Sequence, residues 1–333
     1  MHELSNRRIG TKDRIRKICS ELKTAEDIAK GKACVYATGS FGRLEASEHS
    51  DLDLFIVGKN DGKERKEGKQ GSLLNRLDEI CIKADLIEVT RREKIQEFSG
   101  EGRYLVHYSL DELTKTLGTR EDDVTNTFTA RLLLLLESRP LLEAQVYRDV
   151  TEEVIAAYWG DYEDHKNDFM PAFLANDILR LWRTFCVNYE STTKIVPEEE
   201  KAKRKLKNYK LKHSRLLTCY SALLYLLAIY TAKKTVSPAN ALEMIALTPT
   251  ERLEWLLEHK QFIEAQSGIQ SLLDQYNRFL QTTNREEDAL LLEFQKKEWS
   301  KERMSEASDF GDKVFAVLNE IGQKNSFHRL LVV

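Results

Sequence analysis

Two aspartates in alternation, Asp51 and Asp53, close a stretch that Gly39 and Ser40 open, GSFGRLEASEHSDLDL. Side chains on an extended strand alternate faces, so both carboxylates lie on one side while Leu52 and Leu54 lie on the other. Like charges brought together raise a pKa unless a cation neutralises them, and hard oxygen ligands are what magnesium accepts. The Gly-Ser pair supplies complementary chemistry: glycine lets the backbone approach a ligand and serine adds a hydroxyl, which suits phosphate oxygens. Residues 41–47 have room for one helical turn or two, with amide groups directed back at the same anion. The plain alternative makes Asp51 and Asp53 solvent-facing residues at a strand start and Gly39-Ser40 an ordinary turn. The spacing of turn and acids between two apolar runs favours a nucleoside triphosphate with its metals.

The elements that must position these groups are short. Ala33 to Thr38 (ACVYAT) reads as a β-strand ending at the turn, and Leu54 to Val57 as a buried strand. Arg43, just past the turn, has two uses open to it: contact with phosphate, or a surface pair with Glu45 or Glu48. Further acids follow in the chain. The polar stretch 58–71 precedes an amphipathic helix over 73–83 and then Ala84-Asp85-Leu86-Ile87-Glu88-Val89, which reads as a strand. Asp85 opens that run and Glu88 lies on its opposite face, so only one of them joins the pair. Asp85, the shorter carboxylate at the strand start, is the choice and Glu88 the substitute.

Gly39-Ser40, Arg43, Glu45 and Ser50-Asp51-Leu52-Asp53 together resemble the DNA polymerase β-like nucleotidyltransferase superfamily, in the bacterial branch of protein uridylyl- and adenylyltransferases and signal-nucleotide synthases. The resemblance covers the N-terminal part of the chain, with specific motifs only between Gly39 and Asp85. It implies that Gly39 and Ser40 bind the triphosphate and that Asp51 and Asp53 hold two magnesium ions, Mn2+ being the other ion to test. It also implies a later strand that supplies the third acid, here Asp85, to bind the second metal and help deprotonate the attacking hydroxyl.

At 333 residues the chain is long enough for two domains, and its net charge of −3 argues against a general nucleic-acid coat protein. The five cysteines, Cys19, Cys34, Cys81, Cys186 and Cys219, have no paired spacing and read as reduced core thiols of a cytoplasmic protein. Neither a secretory signal nor a zinc pattern is expected. Leu216 to Ala232 is long and apolar but carries serine, threonine and two tyrosines, so it reads as a buried helix and not a membrane span. Past residue 120 the pattern turns helical: 123–137, 147–158, 171–189, 202–231, 250–259, 268–283 and 288–319, with a break at 308–311 in the last. The expected class is α+β: a catalytic α/β domain with a small mixed sheet over 1–122 and an all-helical domain over 123–333, the nucleotide lying between them as in relatives of the superfamily.

Polar residues of the helical part extend the reading. Asn176, Arg180 and Arg183 share a helix face beside Asp177, and buried arginines must find anions, either phosphate or Asp177 itself. Lys201 to Arg215 (KAKRKLKNYKLKHSR) is dense in cations, with Tyr209 between Lys207 and Lys210; it is either a solvated helix face or a surface for a nucleotide strand, by backbone charge and base stacking. Arg252 and His259 are spaced like the pair in helical ribonucleases that accompany these nucleotidyltransferases, although Leu253 stands where that family has a polar residue. Gly160 to Asp168 is acidic and reads as a solvated loop. The expected activity is Mg-dependent transfer of a nucleoside monophosphate from an NTP or dNTP to a nucleotide hydroxyl with release of pyrophosphate, giving an oligonucleotide or cyclic nucleotide signal in antiviral defence. A protein adenylyl- or uridylyltransferase acting on a partner, as in a toxin-antitoxin pair, and a catalytically silent nucleotide-binding regulator are the rivals. Partners are then a nucleoside triphosphate, a short oligonucleotide or a protein, with self-association open and no membrane.

Overall fold

The computed structural model describes residues 2–64, 70–96, 98, 105–191, 198–322 and 325–333. The run 65–69, inside the polar stretch expected after the second strand, lies outside the described residues. The chain is α+β and divides into two compact units, Ser5–Gly160 and Asp161–Val333 with Met1–Leu4.

In the first unit the order is α1 (His2–Glu21), α2 (Lys23–Ala29), β1 (Ala33–Ala37), α3 (Gly39–Gly42), β2 (Leu54–Gly58), β3 (Asn60–Glu64), β4 (Gln70–Ser72), α4 (Arg76–Arg92), β5 (His107–Ser109), α5 (Leu110–Lys115), α6 (Glu121–Val124), α7 (Thr127–Leu136), β6 (Arg139–Leu142) and α8 (Ala144–Tyr158). The main sheet runs β5-β2-β1-β6, while β3 and β4 form a separate hairpin. Strand β1 is antiparallel to β2 and β6, and β2 is parallel to β5, so the sheet is mixed. Both central strands are buried along their whole length, which is why ACVYA and LFIVG are continuous apolar runs. One face packs Val35, Leu54 and Ile56 against Ile18, Leu22, Ala25, Ile82, Leu86 and Val89. Tyr36 and Phe55 stack at 5.7 Å, with Tyr108 and Tyr147 in ring contact beside them.

Two expectations are corrected in this unit. Residues 84–89 are helix, not strand, because α4 carries Asn75 as a cap accepting from Leu77 N and Asp78 N, acids in its first turn and Arg91 and Arg92 in its last. Its inward positions Glu79, Ile82, Leu86 and Val89 keep helical spacing. The compact unit also extends past residue 122 to Gly160, since Val35 to Ala37 of β1 pair with Leu142 to Arg139 of β6. Across that boundary Arg131, fully buried, donates to Asp122 at 2.9 Å and to the Tyr158 hydroxyl at 3.0 Å. Asp122 is buried as completely, and an ion pair so enclosed survives because every charge is bonded.

The second unit is helical: α9 (Ala172–Ser191), α10 (Glu198–Lys210), a π turn over Leu211–Arg215, α11 (Leu216–Lys233), α12 (Pro238–Ala246), α13 (Pro249–Glu258), α14 (Ile263–Thr282), α15 (Glu287–Gln295), α16 (Lys297–Gly322) and α17 (Ser326–Val332). The apolar α11 belongs to the core: among the described residues one helical stretch, Glu200–Lys233, is long and apolar enough to cross a membrane, and 72% of its most apolar part is buried. The Thr-Pro-Thr-Glu start of α13 is a capping box between Thr248 and Glu251. The last helix breaks at Lys296 and not at 308–311, where fully buried Phe310 keeps α16 continuous. All five cysteines are unbridged thiols; Cys34 and Cys219 are buried, and Cys81 is exposed, contrary to a core position.

His213 sits in the π turn, stacked on Phe279 at 4.7 Å, its Nδ1 on the Tyr209 carbonyl at 2.9 Å. Burial pushes its pKa down to about 4, so the folded protein holds the ring neutral. The stability this gives is complete above the ordinary histidine pKa and is lost as pH falls toward the folded value. Burial lowers His107 in the same direction. Urea unfolding at pH 5.0 compared with pH 7.5 is expected to show a loss on the order of 2 kcal/mol from His213, and His213→Asn to flatten that part of the slope.

Candidate active site

Strand β1 ends at Ala37, opposite Leu54 of β2. Thr38 N donates to the Asp53 carbonyl at 2.8 Å, which extends the ladder one step and brings the chain before β2 against the start of α3. There Gly39 adopts φ +63, and a Cβ on it would lie 2.8 Å from Asp53 Oδ2. The turn and the carboxylate therefore share one place, reachable only because Gly39 has no side chain. Asp51 is exposed, Leu52 buried, Asp53 half-buried and Leu54 buried, the alternation expected of an extended segment, although Asp51 and Asp53 precede β2 and are not within it. Ser40 follows in the first turn of α3, where amide groups have no helical carbonyl to donate to.

The loop from α3 to Asp51 is held by α1. Arg7 donates to the Glu45 carbonyl at 2.9 Å, Thr11 to the Ala46 carbonyl at 3.4 Å and Arg14 to the Ser47 carbonyl at 2.5 Å, while the Arg14 guanidinium lies 4.6 Å from the Phe41 ring centre. These three positioning residues escaped the sequence reading. Their signal was an Arg7-Thr11-Arg14 stripe at helical spacing. The Ser50 hydroxyl accepts from Ser47 N at 2.9 Å, which closes the turn that delivers Asp51.

Arg43 is not offered to a ligand. It is 7% exposed and donates to Glu45 at 2.9 Å and Glu137 at 2.7 Å, so the pairing alternative holds, with Glu137 of the α7–β6 connection as the partner that local sequence did not suggest. Asp85 is likewise displaced from its expected role. On helix α4 it accepts from Ala25 N at 2.9 Å, satisfying an otherwise unpaired amide in the first turn of α2. Glu88 is exposed on the same helix, 3.5 Å from Arg91. Asp51 and Asp53 thus stand without either proposed third acid, and among the described residues no group of three or more His, Cys, Asp or Glu is arranged to hold a metal. A pair of carboxylates beside a turn of bare backbone still fits magnesium, which keeps waters and commonly takes one or two protein carboxylates plus substrate phosphates.

Residues 12–112 match the family model of the nucleotidyltransferase domain. The chain carries a nucleotidyltransferase domain. The match encloses Gly39, Ser40, Asp51 and Asp53, the loop 45–47 and the clamp Arg14, while Arg7 and Thr11 precede it. No curated protein matches the chain.

Outside the nucleotidyltransferase domain, the helical unit places its candidate residues as follows. Arg180 pairs with buried Asp177 at 3.7 Å, and Arg183 is exposed, not buried. Lys207 and Lys210 are exposed on α10, whereas Tyr209 is 1% exposed and packs on Phe279 and Phe294, so it offers no stacking face for a base. Arg252 is buried and donates to the Met244 carbonyl at 2.9 Å; His259 contacts the Trp255 carbonyl at 2.7 Å and its ring, so the ribonuclease-like spacing has structural uses. The 160–168 stretch contains a short 3-10 turn with exposed acids.

Asp53→Asn is expected to reduce nucleotidyl transfer by at least about a hundredfold with an unchanged melting temperature. Asp85→Ala should do the reverse, leaving kcat unchanged and costing about 1 kcal/mol through the lost acceptor for Ala25 N. Arg43→Ala should cost about 3 kcal/mol by stranding buried Glu137 and Glu45. Parallel turnover assays and urea unfolding check all three.

Proposed function

We propose that the chain is a Mg-dependent nucleotidyltransferase that moves a nucleoside monophosphate from a nucleoside triphosphate to a hydroxyl and releases pyrophosphate. The observation that carries this is the close approach of Gly39 to the Asp53 carboxylate, since a phosphate-binding turn and a metal-binding acid are useful together only where polyphosphate and cation meet. The Gly39 backbone and the Ser40 hydroxyl bind triphosphate oxygens. Asp51 and Asp53 hold the divalent ion, Mg2+ or in its place Mn2+. When bound, such an ion offsets the charge on the triphosphate and on the departing pyrophosphate. Arg7, Thr11 and Arg14 keep the intervening loop in place, so that the two acids need no rearrangement to meet the ligand. The superfamily's pattern of two ions calls for a third acid, and neither Asp85 nor Glu88 fills that part.

The acceptor in this reading is a nucleotide hydroxyl, and the product an oligonucleotide or cyclic nucleotide of the kind that serves as a signal in antiviral defence. Its support is the row Lys203, Lys207 and Lys210, exposed at helical spacing on α10. A protein hydroxyl is the second reading, favoured by the burial of Tyr209, which removes the base-stacking partner expected beside those lysines. Intact Gly39, Ser40, Asp51 and Asp53 argue against a silent regulator.

Incubation with each labelled triphosphate, with and without Mg2+ and with and without a cell lysate, tests the reading. Metal-dependent pyrophosphate release with soluble oligomers, lost in Asp53→Asn and reduced by Lys207→Glu with Lys210→Glu, is the expected result. A labelled protein band alone transfers the assignment to protein modification. Bound triphosphate with no pyrophosphate from any base, in Mg2+ or Mn2+, overturns it.

A further inference from the structure

Helix α9 carries Trp182, Phe185 and Tyr189 at spacings of three and four, which puts their rings on one face. All three are half-buried, unlike the Tyr209, Phe294 and Phe310 rings of the core. The neighbouring π turn and the start of α11 supply matching groups. Trp182 meets Tyr220 edge to face at 6.3 Å, and the Arg215 guanidinium lies 5.3 Å from the Phe185 ring centre. Arg183 is near enough to Tyr220 to oppose the rise that burial imposes on its phenol, and Lys212 acts likewise on the Cys186 thiol. Further along, Asn208 bonds the Tyr189 hydroxyl and Arg204 lies close by. Of the acids around the seam, Asp177 is buried and paired with Arg180, and Glu190 lies by Tyr189 and Cys186 at the far end.

A seam made only to join helices has no need of partly exposed rings interleaved with cations. On a chain whose net charge is −3, such a local excess of Arg and Lys is a feature of this face and not of the composition. Half-exposed rings give sequence-tolerant stacking surfaces, while guanidinium and ammonium groups beside them track a phosphate backbone. We infer that the face formed by Trp182, Phe185 and Tyr220 with Arg183, Lys212 and Arg215 binds single-stranded nucleic acid. The inference deepens the nucleotide-acceptor reading and rests on it for its purpose, but the binding itself is measurable without any triphosphate. It also supplies the stacking surface that Tyr209, enclosed in the core, does not.

The test uses the full chain and fluorescein-labelled U12 and dT12 in anisotropy titrations at 50 and 200 mM NaCl, without nucleotide. Binding that weakens with salt is expected, with Trp182→Ala about tenfold weaker, Trp182→Phe close to wild type, and the surface variant Arg183→Glu weaker with a shallower salt slope. Melting temperatures equal to wild type for Arg183→Glu keep the result free of folding effects. Absent binding to both strands at 50 mM NaCl, or affinities that Arg183→Glu and Trp182→Ala leave unchanged, overturn the inference. Asp53→Asn is expected to bind both strands as wild type does. Pyrophosphate release without strand binding would remove this face alone, and strand binding without release would remove the catalytic reading alone.

Discussion

The absence of one methylene at Gly39 governs the arrangement of the first unit's site. Because Gly39 takes a left-handed φ and presents bare backbone, the Asp53 carboxylate settles directly on the turn that opens α3. Any side chain there would meet both a strained backbone and the carboxylate itself, so turn and acid could not coexist. The register of β1 on β2 fixes the same contact from the other side: Ala37 opposite Leu54 leaves Thr38 and Asp53 to close the ladder by a single hydrogen bond. Sheet register, turn and acid are then one constraint, and the chain between them must form a loop that leaves Gly39 and returns to Asp51.

That loop sorts the charged residues of the motif. Those that enter the core become structural: Arg43 is surrounded by Glu45 and Glu137, and the buried triplet ties α3 to the connection after α7. Removing solvent from an ion pair costs several kcal/mol per ion, and such groups remain charged only when their partners are fixed in place. Asp51, by contrast, stays exposed, outside that buried network. The GSFGRLE segment thus divides its residues: Gly39 lies against the Asp53 carboxylate, while Arg43 and Glu45 fasten the segment that carries it.

The placement of the candidate residues was legible where it depended on neighbours in sequence. Gly39, Ser40, Asp51 and Asp53 are arranged by a local turn and a two-residue alternation, both visible in one segment, and the apolar runs around them became β1 and β2. Asp85 was misread because ADLIEV suits a strand over six residues but belongs to a 17-residue helix whose cap at Asn75 and inward positions Ile82, Leu86 and Val89 outweigh the local preference. Arg43–Glu137 and Asp85–Ala25 join residues far apart in the chain, and no local pattern states such pairings. The extent of the first unit was hidden for the same reason: β6 is four residues long and declares itself only by pairing with β1.

The helical unit shows how burial sorts the residues of a cation-rich run. The segment 201–215 is rich in cations and contains an aromatic residue, but Tyr209 falls on the inward side with Ala202 and Leu206, at spacings of seven and three, while Lys203, Lys207 and Lys210 are exposed. Trp182 and Phe185 of α9 meet Tyr220 of α11 and Arg215, the last residue of that run, through helix packing, while Arg183 comes from α9 itself. Burial decides which of the two aromatic groups has a face to offer: the ring enclosed by Phe279 and Phe294 is part of the core, while rings left half-open next to cations retain a surface that stacking and charge can both use.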